Sequence, residues 1–139
     1  MNSNLARRGF LRSAALGSLA VGLSSSPFAQ TALSTRLEWS VFKRSRDYAS
    51  FMDAIKRMRA NTNPADKRSW QYWTNAHLNY CPHSVSYFIA WHRGYLRLFE
   101  NQLREISGNP RLTLPYWDYY RDPIIPREFT DPSPANPLY

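Results

Sequence analysis

The chain has 139 residues, room for one small domain, and its 43% apolar, 15% aromatic and 20% charged content is globular, which excludes an intrinsically disordered protein. A formal charge of +8 raises nucleic acid or an acidic surface as a partner. The basic residues argue otherwise: Lys43, Arg44, Arg46, Lys56, Arg57, Arg59, Lys67 and Arg68 are spread along one expected helix and its loops with no nucleic-acid motif, so a solvated face is expected and nucleic acid is not.

The first thirty residues have a separate logic. Arg7-Arg8-Gly9-Phe10-Leu11-Arg12 is a twin-arginine pair followed by an apolar pair, and it leads into the small, apolar run Ala14 to Leu23. That is the layout of a twin-arginine export signal, with cleavage expected near Ala29 or Ala32. The run is shorter than the roughly 20 apolar residues a spanning helix needs, so no permanent membrane anchor is expected. The expected division is a signal peptide over 1–32 and one domain over 33–139, exported to the periplasm or secreted. Without Arg7, Arg8 and Arg12 the charge of +8 falls to +5. The twin-arginine route carries folded proteins, commonly with cofactor in place, and so hints at a cofactor.

Three helices are predicted downstream. Tyr48, Phe51, Met52, Ile55 and Met58 trace one face of a helix between Asp47 and Ala60, ended by the loop around Pro64. A second helix is expected from Ser69, a good N-cap, to about Asn79, with Trp70, Trp73 and His77 on one side. Pro82 leaves Tyr80 to Ser86 as an irregular connection. The third helix carries the stripe His92, Tyr95, Leu96, Phe99, Leu103 and Ile106, with His92 in its first turn, and stops at Gly108. Trp70, Trp73, Trp91 and Phe99 are expected in the core. Arg93, Arg97, Glu100 and Arg104 are expected opposite the stripe, in ion pairs at i,i+3 and i,i+4 rather than in chemistry. A tail with six prolines from Pro115 to Pro137 has no helical period. The class is mainly α with a long irregular, proline-rich C-terminal segment.

All three histidines and the single cysteine fall between His77 and His92. If the second and third helices form an antiparallel pair, His77, His83 and His92 share one end of it and could converge on a metal. Neutral imidazole suits copper, zinc, iron and nickel, and the spacing does not choose among them. With one cysteine an intrachain disulfide is impossible.

The segment His83-Ser84-Val85-Ser86-Tyr87-Phe88-Ile89-Ala90-Trp91-His92-Arg93-Gly94-Tyr95-Leu96-Arg97-Leu98-Phe99-Glu100 resembles the first copper-binding motif of the tyrosinase and polyphenol oxidase family. Leu114-Pro115-Tyr116-Trp117-Asp118-Tyr119, Asp122-Pro123 and Asn136-Pro137-Leu138-Tyr139 resemble segments that follow it, so the likeness covers Trp70 to Tyr139. The resemblance implies a four-helix-bundle, type 3 copper fold, here partial, with one copper-bearing helix pair. It implies an oxidoreductase that uses O2 to oxidise phenolic substrates, o-diphenols to o-quinones and in some members monophenols first. It assigns His77, His83 and His92 as ligands of the first copper, no catalytic group beyond the ligands, and Trp91, Arg93 and Glu100 as structural support. Cys81, two residues before His83, stands where some members form a thioether to a ligand histidine.

The family pattern has a second histidine trio downstream, and the given sequence holds no histidine after His92. Two Cu(I) ions supply the two electrons that take O2 to peroxide, and one does not. The expectation is a truncated record whose activity depends on further sequence. The alternatives are a non-enzymatic copper-binding domain or a homodimer that rebuilds a two-copper site. A half-core of this kind should expose an apolar face prone to association.

Overall fold

The computed structural model describes residues 35–139, so the expected export signal lies outside the described residues. The element order is α1 (Trp39–Phe42), α2 (Tyr48–Ala60), α3 (Trp70–Tyr80), α4 (Phe88–Ser107) and a 3-10 turn (Arg127–Phe129). The mainly α class is as expected. Among the described residues no helix is long and apolar enough to cross a membrane.

The α2 stripe does what its spacing predicts. Phe51, Ile55 and Met58 are buried, together with Ala54, and Tyr48 and Met52 pack against them. Each large apolar side chain removed from water contributes roughly 1.5–3 kcal/mol, which makes this face the centre of the domain. Leu103 of α4 and Leu112 beyond it complete the core at 0% exposure. The Asp47 side chain does not cap α2; it accepts a hydrogen bond from Asn109 Nδ2 at 2.8 Å and so ties the start of α2 to the turn after α4. That turn begins at Gly108, whose φ of +67° is the left-handed conformation a helix stop requires.

The short helix α1 is not legible in the sequence pattern. It forms because Trp39 and Phe42 find a wall of aromatic rings, edge-on to Phe51 at 6.4 and 5.3 Å. A parallel bridge holds it to the C-terminal segment: Trp39 N–H donates to the Tyr116 carbonyl at 2.8 Å, and Tyr116 N–H to that of Leu37 at 3.0 Å. The proline-rich tail is irregular, as expected, yet firmly placed. Glu128 of the 3-10 turn accepts from Trp39 Nε1 at 3.1 Å and pairs with Lys43 at 2.6 Å, while Arg59 of α2 donates to the Pro137 and Tyr139 carbonyls.

Three expectations need correction. Helix α4 starts at Phe88, so His92 lies in its second turn, and Phe88, four residues before His92, already continues the stripe. Glu100 is not on an open surface: it is 8% exposed, because the chain after Gly108 folds back over it and Leu114 N–H donates to its Oε2 at 2.8 Å. Its ion pairs are with Arg104 at 2.6 Å and Arg36 at 3.3 Å, the former as expected at i,i+4; among the described residues no pair with Arg97 forms. Trp70, expected in the core, is 36% exposed and meets Phe99 edge-on, whereas Trp73 is buried.

Candidate metal centre

Helices α3 and α4 meet through aromatic side chains, and that packing sets the stage. Trp73 lies edge-on to Tyr95 at 5.6 Å and to Phe99 at 5.3 Å. Ser69 caps α3 as predicted, accepting from Tyr72 N–H at 3.2 Å, and so sets where the helix begins. The Tyr95 hydroxyl donates to the Trp73 carbonyl at 2.9 Å, pinning the two helices one turn before His77. Burial raises the Tyr95 pKa, the neighbouring Cys81 adds to the shift, and the side chain stays a neutral phenol at ordinary pH.

Beyond this pin three residues of metal-binding type converge. His77 is in the last turn of α3, and Cys81, four residues on, is its C-cap, with its N–H bonded to the His77 carbonyl at 3.0 Å. An i,i+4 pair lies on one face of a helix, so imidazole and thiol are neighbours. His92 faces them from α4, its ring 5.6 Å from that of His77. One ligand atom from each of His77, Cys81 and His92 lies within 4.8 Å of the other two.

Second contacts fix the rings. His92 Nδ1 is 2.9 Å from the Phe88 carbonyl, which can only accept, so Nδ1 carries the proton and Nε2 keeps its lone pair for a metal. Trp91 stacks on Tyr95 at 5.2 Å and 12° and stands edge-on to His92 at 5.0 Å and to His77 at 5.9 Å. Its ring thus lies against both imidazoles. Glu100 supports from further away, holding α4 against the returning chain. Arg93 is exposed and has no place in the cluster.

The sequence groups His77, His83 and His92; the structure brings the first and last together and sets Cys81 beside them. His83 is exposed in the connection, outside the close trio, its Nε2 3.5 Å from Cys81 Sγ. The same sulfur is 3.3 Å from His92 Nε2. Ser84, directly after His83, has φ +59°, a left-handed conformation that costs a non-glycine residue free energy and aims the connection here. The part of Cys81 in the close trio was missed in the sequence, although its i,i+4 spacing from His77 on a helix was a usable signal.

The donor set is imidazole nitrogen and sulfur with no carboxylate among the three. This fits copper or zinc and disfavours magnesium and calcium. A groove of about 680 Å³ runs beside the site between α3 and α4, lined by Tyr72, Trp73, Tyr80, Trp91, Tyr95 and Leu98 among others, and it does not include His77, Cys81 or His92.

Residues 46–137 match the family model described as the common central domain of tyrosinase. The chain belongs to the tyrosinase family. Among curated relatives it is 32% identical over 99 residues to Tyrosinase P of Aspergillus terreus, covering 65% of this chain and 27% of that protein. It is 44% identical over 45 residues to Tyrosinase HcTyr1 of Hahella sp., 30% of this chain and 10% of that one. To Hemocyanin 2 of Megathura crenulata it is 38% identical over 60 residues, 42% of this chain and 2% of that one. The chain thus spans about a quarter of the length of Tyrosinase P. No solved structure matches it. Membership of the tyrosinase family implies copper among the metals the donor set allows.

Proposed function

We propose that this chain supplies one copper site of a tyrosinase-type oxidoreductase, with His77, His83 and His92 as its ligands and o-diphenols, oxidised to o-quinones with O2, as the substrates of the complete two-copper centre. The observation that carries the reading is the convergence of His77 and His92 at one end of an aromatic-packed helix pair. Bound copper supplies one-electron redox chemistry towards dioxygen. The chain's own residues do the rest: the Phe88 carbonyl holds the His92 proton on Nδ1, Trp91 shields the imidazoles on one side, and the Tyr95–Trp73 bond keeps the helices in register. His83 joins the ligand set by a movement of the exposed connection.

Three histidines account for one copper. After loading and dialysis the expected content is about one copper per chain, falling to background in His77→Ala and His92→Ala. Copper retained by both variants would sink the reading. Export by the twin-arginine route belongs to the same proposal, and release of a product beginning near residue 30 or 33 into the periplasm or medium tests it.

A second reading has its own observation. Ile89 and Leu98 of α4 are 64% and 61% exposed, and Leu78 of α3 is 80% exposed, which favours association into a homodimer that brings two copper sites together. A monomeric native mass with copper bound excludes it.

A further inference from the structure

We propose that Tyr95, whose hydroxyl is turned to a carbonyl of α3, is a positioning residue: it grips the turn that carries His77 and sets how that imidazole faces His92. The inference rests on the reading that His77 and His92 ligate copper, and adds to it the residue that fixes their mutual placement.

The hold is at two points. The Tyr95 hydroxyl donates to the Trp73 carbonyl at 2.9 Å, and within the helix Trp70–Tyr80 that same carbonyl accepts the N–H of His77, four residues on. A carbonyl oxygen has two lone pairs and can serve both donors. The second point is the ring, which lies edge-on to the His77 imidazole at 5.6 Å and 63°. Tyr95 also follows His92 by three residues on α4 and shares its face. One side chain therefore links the two turns that carry the imidazoles.

The Tyr95 ring is itself confined. Trp91 stacks on it at 5.2 Å and 12°, Phe99 lies parallel to it at 6.5 Å and 5°, and Trp73 meets it edge-on at 5.6 Å. The two imidazoles differ in what holds them. His92 is fixed by the hydrogen bond from Nδ1 to the Phe88 carbonyl. Among the described residues no hydrogen bond reaches the His77 ring, which is oriented by the rings of Trp91, His92 and Tyr95. Tyr95 differs from the other two in its hydrogen bond to the α3 backbone. An imidazole already facing its partner loses less freedom when a metal binds, so the affinity depends on Tyr95 through His77.

The experiment uses the full chain, with Cu(II) offered against a competing chelator, the EPR spectrum of the loaded protein, and the imidazole proton signals of the metal-free protein by NMR, assigned to His77 by their loss in His77→Ala. Tyr95→Phe keeps the ring and removes only the hydroxyl, Tyr95→Leu removes both, and Leu103→Val, in the core away from the histidines, is the stability control. The expected result is a copper affinity about tenfold lower in Tyr95→Phe, lower still in Tyr95→Leu, and within about twofold of wild type in Leu103→Val despite its lowered Tm. The EPR hyperfine pattern and the His77 ring signals move in both Tyr95 variants and stay in place in the control. An affinity and spectra unchanged in Tyr95→Phe overturn the proposal and leave the three-histidine reading standing. So does an affinity that follows Tm through all three variants, which makes Tyr95 a packing residue only. Wild type that holds no copper, or His77→Ala that holds it undiminished, sinks the three-histidine reading and this proposal with it. If Tyr95→Leu does not fold, Tyr95→Phe decides alone.

Discussion

Glu100→Gln tests whether a single carboxylate holds α4 against the rest of the domain. Both Glu100 oxygens accept: Oε1 from Arg104 Nη2 at 2.6 Å, Oε2 from Leu114 N–H at 2.8 Å, with Arg36 3.3 Å from Oε2. Glutamine keeps the shape but turns one of these oxygens into a donor. A donor then faces either the Arg104 guanidinium or the Leu114 amide, and the ion pairs lose their negative member. Hydrogen bonds to charged groups are each worth about 1.5–3 kcal/mol, and breaking a buried pair costs about 3–5 kcal/mol. Arg104 and Arg36 keep 25% and 40% of their side-chain surface in water, which discounts the upper figure, so the expected loss is about 2–3 kcal/mol. For a domain of this size that lowers Tm by about 10–20 °C. Urea and thermal unfolding of wild type and variant measure it, with Asp53→Asn as control: its pair with Arg57 is exposed on both sides and should be worth less than about 1 kcal/mol. If Glu100→Gln costs no more than the control, the returning chain is not held by Glu100 and the account of the fold around α4 fails.

Leu103→Ala removes a side chain with 0% exposure from the contact between α4 and α2 and should cost about 2–5 kcal/mol in urea unfolding; a loss under about 1 kcal/mol means the core lies elsewhere. Gly108→Ala meets no atom within 4 Å of the new Cβ, so its expected cost of about 1 kcal/mol is conformational alone, and an unchanged midpoint refutes the left-handed stop. Glu128 gives a pH dependence. Burial pushes its carboxyl up, but the hydrogen bonds from Lys43 and Trp39 and the Lys43 charge outweigh it and leave the pKa lowered. Its stabilisation is present above the unfolded-state pKa and is lost as pH falls through the lower folded value, so acid should loosen the Arg127–Phe129 turn from Trp39. Tryptophan fluorescence from pH 6 to 2 should show this in wild type and lose that component in Glu128→Gln; identical acid profiles in the two proteins contradict it.

Helical spacing carried much of the architecture into plain view. The stripe Phe51, Ile55, Met58 became the core, Ser69 capped α3 and Gly108 ended α4, because these are local properties: side chains three or four residues apart share a face, and a cap needs only its own turn. The crowding of every histidine between His77 and His92 pointed to the same end of the helix pair where His77, Cys81 and His92 converge. What was illegible depends on residues far apart in the chain. Helix α1 exists because Trp39 meets Tyr116 and Glu128, and Glu100 is buried because Leu114 returns to it; neither contact has a period. The choice between Cys81 and His83 as third neighbour of His77 and His92 is of this kind. Residues two apart differ little in sequence position, and only the direction in which α3 ends and the connection turns at Ser84 decided which of them stands beside His92.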